Sequence, residues 1–176
     1  MYAEEIKRLR KLIRKDSQFK KVNKFFEHVA EDLSVDGLYK EIQNLHKMRA
    51  SRSLDRSNKA FLDKVVEANL QDQSYRSRLA EIQMECSRVL SKYEPIIEDL
   101  VLFLHAQYLE SLKGFLSAKQ DRLEFLQGLC KDHVRFLRDL RSVEEAAKIV
   151  ITDIDKAGYM FKNLIEAVKI VHERKA

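Results

Sequence analysis

Reading forward from Tyr75, apolar or near-apolar side chains recur at Tyr75, Leu79, Ile82, Cys86, Val89, Tyr93, Ile96, Leu100 and Phe103, four and three residues apart in strict alternation. Only a helix brings such positions onto one line, and this alternation is the seam of a coiled-coil-type helix. After a phase break it restarts at Leu112, Leu116, Lys119, Leu123, Leu126, Cys130, His133, Leu137 and Leu140, with Lys119 and His133 out of character. Two long helices with matching seams pack on each other or on copies of themselves. One Pro and four Gly in 176 residues exclude a loop-rich or all-β chain, and 35% charged residues suit long helices bathed in solvent. The expected fold is all-α, an elongated helical bundle with a long antiparallel coiled-coil-like hairpin.

Before the seam the chain reads as short helices. Residues 3–15 form an amphipathic one: at 100° per residue Ile6, Leu9, Leu12 and Ile13 share one arc. Asp16 and Ser17 are N-cap residues for a second helix carrying Phe19, Val22, Phe26, Val29 and Leu33, which stops at residues 34–37. Asp36 or Gly37 caps a third built on Leu38, Ile42 and Leu45, and residues 50–57 read as a basic connector or frayed helix. Periodicity resumes with Phe61, Val65, Ala68 and Asp72, so one helix is expected from about Asn58.

Pro95 keeps the alternation around it, which predicts a kink costing about 3 kcal/mol and no reversal. The reversal is placed at Gly114, with Ser117 and Gln120 as a capping box, so that helices 58–113 and 117–141 form the hairpin. A second capping box, Ser142 with Glu145, opens a last helix through Val150, Ile154, Phe161, Leu164 and Val168. Gly158 inside it signals either a close neighbour or a tolerated defect. Residues 1–57 thus read as a charged N-terminal region, and 58–176 as the hairpin plus a C-terminal helix, the two forming either separate domains or one.

Charge is concentrated in the first third of the chain. Residues 1–24 hold Lys7, Arg8, Arg10, Lys11, Arg14, Lys15, Lys20, Lys21 and Lys24 against three acids, a net of +6 where the whole chain carries +5. Residues 25–46 are acidic, at −4, and residues 47–60 swing back to +4 through Lys47, Arg49, Arg52, Arg56 and Lys59 against Asp55. The six cations between Lys7 and Lys15 occupy the arc opposite Ile6, Leu9, Leu12 and Ile13. Such a face either pairs with the acidic block or neutralises backbone phosphates, with steep salt dependence and little sequence selectivity.

Catalytic and cofactor motifs are missing. The glycines are isolated, so no phosphate-cradling loop can be built, and no G-x-S-x-G elbow occurs. Cys130 and His133 have the spacing of half a zinc site, but no second pair exists and both sit on the seam, where a buried thiol and a satisfied imidazole are commonplace. Asp153 and Asp155 point roughly 200° apart on a helix. No enzyme activity, metal or cofactor is therefore expected. Cys86 and Cys130 read as buried hydrophobes of a reducing, cytoplasmic compartment, with neither signal peptide nor membrane span.

These features describe a non-enzymatic, self-associating helical protein, a homo-oligomer that binds nucleic acid or another polyanion through its basic N-terminal region. The cation set is Lys7, Arg8, Arg10, Lys11, Arg14, Lys15, Lys20, Lys21 and Lys24, extended by Arg49, Arg52 and Arg56. The self-association seam is Tyr75, Leu79, Ile82, Val89, Tyr93, Ile96, Leu100, Phe103, Leu123, Leu126 and Leu137. Viral DNA-packaging and recombination accessory proteins share this general style, a likeness of architecture alone. Two other readings compete: a scaffold or adaptor subunit whose basic end meets an acidic protein partner, and a peripheral membrane-surface helix module.

Overall fold

The computed structural model describes residues 2–52 and 61–173. Among these, every regular element is a helix: α1 (Tyr2–Lys15), α2 (Ser17–Asp32), α3 (Val35–Ala50), α4 (Phe61–Gln107), α5 (Leu109–Lys113), α6 (Lys119–Leu129) and α7 (Lys131–Glu173). The all-α expectation holds, and the two long helices α4 and α7 pack together. The expected start near Asn58, and Arg56 with it, lie outside the described residues. The chain divides into two compact units, each assembled from two stretches: residues 1–35 with 87–141, and residues 36–86 with 142–176. The boundary anticipated at residue 57 lies outside the described residues.

In the first unit, α1 carries Glu4 and Glu5 in its first turn and Arg14 and Lys15 in its last, the order that suits a helix dipole. Asp16 then ends one helix and starts the next. Its Oδ1 accepts from the backbone N–H groups of Gln18 and Phe19 at 2.8 and 3.3 Å, the N-cap read from sequence. Its Oδ2 accepts from the Tyr108 hydroxyl at 3.0 Å. Phe26 of α2 is buried against the rings of Tyr93, His133 and Phe136. Edge-on ring pairs of this kind contribute about 0.5–1.5 kcal/mol each beyond their buried area.

α4 passes through Pro95 without reversing, as expected. The proline is exposed, so the Ser91 carbonyl that loses its helical partner faces water. The reversal falls at residues 114–118, but its chemistry differs from the sequence reading. Gly114 is right-handed (φ −62°, ψ −21°), and α6 is capped at Ala118 with no side-chain hydrogen bond, so Ser117 and Gln120 form no capping box. Gln120 donates to Glu124 instead. Arg122, buried in spite of its charge, holds the turn together. Its Nη1 donates to the Leu116 and Ser117 carbonyls at 2.9 and 2.6 Å, and its Nε to His105 Nε2 at 3.3 Å. Two turn carbonyls and one imidazole are thereby answered by a single guanidinium.

The second capping box fails for a similar reason. α7 runs unbroken from Lys131 across Ser142, and the interruption comes twelve residues earlier, at Cys130 (φ −94°, ψ 17°). A Ser-x-x-Glu spacing also fits the exposed face of a continuous helix.

In the second unit, α3 starts at Val35 and places Asp36 in its first turn. Leu38 and Ile42 are buried along with Val65, Ala68, Leu79, Ile82 and Cys86 of α4 and Val143, Ala147, Val150 and Ile154 of α7. Here α4 and α7 run antiparallel: Asn69 lies beside Gly158, and Arg76, further along α4, binds the earlier α7 residue Asp155 at 2.7 Å. A Cβ on Gly158 would lie 3.8 Å from Asn69 Oδ1, which is ordinary contact, so of the two readings of Gly158 the tolerated defect stands.

From Leu79 to Cys86 the seam keeps to the core, and beyond it every second member gives way to the next residue along. Val89 and Ile96 are half-buried and Phe103 is exposed, while Leu90, Ile97 and Leu104 fill the core. Tyr93, Leu100, Leu126 and Leu137 are buried where expected, and Tyr75 and Leu123 are half-buried. A straight α-helix drifts by about 20° per heptad from a 3.5-residue repeat, so a strict four-three line leaves the core within a few turns. Of the two options for the seam, the helices pack on each other: Leu79, Ile82 and Leu126 are completely covered by their own chain. Replacing Leu79 or Ile82 with Asn therefore acts on folding.

Candidate functional site

α1 is held down by three apolar residues of its predicted arc, Ile6, Leu9 and Ile13, the last wholly buried. Burial of Leu9 and Ile13 stabilises this docking by about 1.5–3 kcal/mol each. Leu12, the fourth member of the arc, is exposed. The helix lies along α6 and the start of α7, since the Arg10 guanidinium sits 5.3 Å from the Phe125 ring centroid and Arg14 shares a cleft with Leu129 and Asp132.

With its oily side occupied, α1 turns its cations outward. Lys7, Arg8, Arg10, Lys11, Arg14 and Lys15 are all exposed, as are Lys20, Lys21 and Lys24 on α2. Among the described residues none of these nine has a carboxylate within salt-bridge distance. Two acids of the block 25–46 have partners elsewhere. Arg78 donates to both oxygens of Glu41 at 2.6 and 3.0 Å and holds that carboxyl below its usual pKa, while Glu31 approaches His28 at 3.8 Å.

Arg49 and Arg52 are placed quite differently from an open cationic face. Both belong to the second unit, and both are bound to Asp72, a carboxylate only 2% exposed. Arg49 reaches it with Nε and Nη2 at 3.1 and 3.2 Å, and Arg52 with Nη1 at 2.5 Å. Arg52 also donates to the Ala68 carbonyl and lies over the Tyr75 ring, and Arg49 Nη2 donates to the Asp153 carbonyl. This cluster locks the end of α3 onto α4 and α7. Two guanidiniums share this one carboxylate, and Arg52 Nη2 is left buried without a hydrogen-bond partner, so neither arginine belongs to the open face of α1 and α2.

Cys130 and His133 stay in the core. His133 Nε2 lies 2.6 Å from Asn23 Oδ1, its Nδ1 is buried without a hydrogen-bond partner, and burial lowers its pKa. A neutral ring that donates through Nε2 and carries a bare Nδ1 accounts for all three facts. Burial pushes the Cys130 thiol up to about 11. Among the described residues no group of three His, Cys, Asp or Glu side chains is placed to hold a metal ion, and no helix is long and apolar enough to cross a membrane.

The cations of α1 were visible in the sequence through a simple helical wheel. Arg122 and Asp72 were missed, because their partners lie far along the chain or on the backbone and leave no local pattern. No protein-family model, curated protein or solved structure matches the chain.

Proposed function

We propose that this is a non-enzymatic helical protein that binds nucleic acid through α1, with Lys20, Lys21 and Lys24 of α2 extending the contact. The observation that carries the reading is the set of nine exposed cations without an ion-pair partner among the described residues. Cations already paired at home would gain little from phosphate, whereas unpaired ones displace condensed counterions on contact. α1 has 14 residues and so spans about 21 Å, with Lys7, Lys11 and Lys15 rising in steps of about 6 Å along one line. The contact is to backbone phosphate, which a row of cations meets without any base-specific geometry.

The test is fluorescence anisotropy with labelled duplex and single-stranded oligonucleotides over a range of salt. If four to six phosphates are neutralised, log affinity falls against log salt with a slope of about −3 to −5. The triple variant Lys7→Gln, Lys11→Gln, Lys15→Gln lowers the magnitude of that slope by about 2–3. Absence of salt-sensitive binding by the unaltered chain, or unchanged binding by the variant, overturns the reading. Retention of a polyglutamate probe without either oligonucleotide points instead to a scaffold that meets an acidic protein. For the membrane-surface alternative, Leu9 and Ile13 would have to leave their own core to reach lipid.

A further inference from the structure

A groove of about 890 Å³ runs along the first unit between α4 and the α6–α7 segment. Its floor is apolar, with Ile97, Val101 and Leu137 buried. Its rims carry opposite charge. Glu94 and Glu98 stand on the α4 rim, and Lys131, Arg135, Arg138 and Arg141 on the α7 rim. An apolar side chain rises from each: Leu102 is 55% exposed and Val134 45%. An apolar strip between polar rims marks a surface that takes a partner helix, and the charges say which flank of that helix must be acidic.

From this groove we infer that the occupant is a second copy of the chain, seated through the α4 rim. That rim is itself the complementary element, with Glu94, Glu98 and Leu102 at successive four-residue steps on one helix. Arg141 Nη2 lies 2.6 Å from Glu94 Oε1, which fixes the relative heights of the antiparallel helices. Counting up α4 and down α7 from that contact puts Glu98 level with the turn containing Arg135 and Arg138, and Leu102 level with Val134. A two-fold axis parallel to the helices preserves these heights. It sets α4 of each copy into the groove of the other, so that Glu98 meets the basic rim twice, once in each direction. A two-fold axis across the helices inverts the heights and loses this match everywhere except at its own level. The closed, isologous pair along the helix direction is therefore the arrangement the charges select. Arg135 can turn into it, because the contact it makes with Asp139 is a loose one, at 3.7 Å. This pairing does not depend on the nucleic-acid reading, since it uses neither α1 nor α2.

Charge exchange tests it. Arg135→Glu and Glu98→Arg both alter exposed helix residues, so both chains keep their helicity by circular dichroism. By light scattering the unaltered chain has the mass of a pair. Each variant alone falls toward the single-chain mass, with a dissociation constant raised about tenfold or more. An equimolar mixture of the two variants recovers the pair. At one contact Glu98 of the first chain meets Arg135 of the second, and at the other the two introduced charges, opposite in sign, face each other. Leu102→Ser, which changes no charge, also weakens the pair. A single-chain mass for the unaltered protein, a pair that survives the single reversals, or a mixture that fails to recover it overturns the inference.

Discussion

Replacing Asp72 with Ala probes the second unit, where two arginines assigned by charge count to the outside are structural. The carboxylate accepts three charge-assisted hydrogen bonds, two from Arg49 and one from Arg52, and is 2% exposed. Its removal leaves two guanidiniums side by side without a counter-ion. Breaking a buried ion pair in this way costs about 3–5 kcal/mol. Here the lower end applies, because the Arg49 and Arg52 side chains keep 14% and 18% of their exposure and can swing partly into water. Urea unfolding followed by far-ultraviolet circular dichroism should show a midpoint lower by about 1.5 M, taking about 3 kcal/mol and a slope of about 2 kcal/mol per molar. The control replaces all three residues together, Arg49→Met, Arg52→Met and Asp72→Leu. Without a stranded charge this chain should lie within about 1 kcal/mol of the original or above it. A loss below about 1 kcal/mol for Asp72→Ala would refute the argument that this buried carboxylate holds the two arginines in place.

Other parts of the molecule give three further outcomes. Burial, opposed in part by Asp132 and Glu27, lowers the His133 pKa, and burial with Arg122 and Lys119 lowers that of His105. The unfolded chain then takes up these protons first, so stability is full above about pH 6.5 and falls on acidification below it; urea midpoints measured across that range should flatten in a His105→Gln, His133→Gln chain. Gly158→Ala should raise stability by about 0.5–1 kcal/mol in the same unfolding assay, because the added methyl meets only ordinary contacts and removes backbone freedom from the unfolded state. Burial pushes both cysteine thiols up to about 11, assisted at Cys86 by Glu144 and Glu85, so alkylation at neutral pH should proceed only as fast as the chain unfolds, with mass spectrometry reading the modified fraction.

The helices were legible because apolar spacing is a local signal. Leu79, Ile82, Leu126 and Leu140 lie on the expected lines and in the core. Beyond Cys86 the reading chose the wrong member of adjacent apolar pairs: Val89 stands beside Leu90, Ile96 beside Ile97, Phe103 beside Leu104. Both members satisfy a pattern test, and the accumulated helical drift decides between them. Helix ends were less legible. Asp16 caps α2 as read, yet Ser117 and Ser142 open no helix, because Arg122 and an unbroken α7 settle those regions through contacts remote from the motif. At the candidate site the cations of α1 were visible as a face on a wheel. That Arg49 and Arg52 belong with Asp72, 23 and 20 residues away, could be read only from the folded chain.

Asp16 stands at the foot of α1, holding the first turn of α2 through one oxygen and the Tyr108 hydroxyl through the other. A single negative group thus ties the start of α2, just behind the positive helix, to the residue that follows α4. Were that carboxylate to give up its tyrosine, the cationic arm would keep both its charge and its seat on Leu9 and Ile13, and only the hinge behind it would loosen.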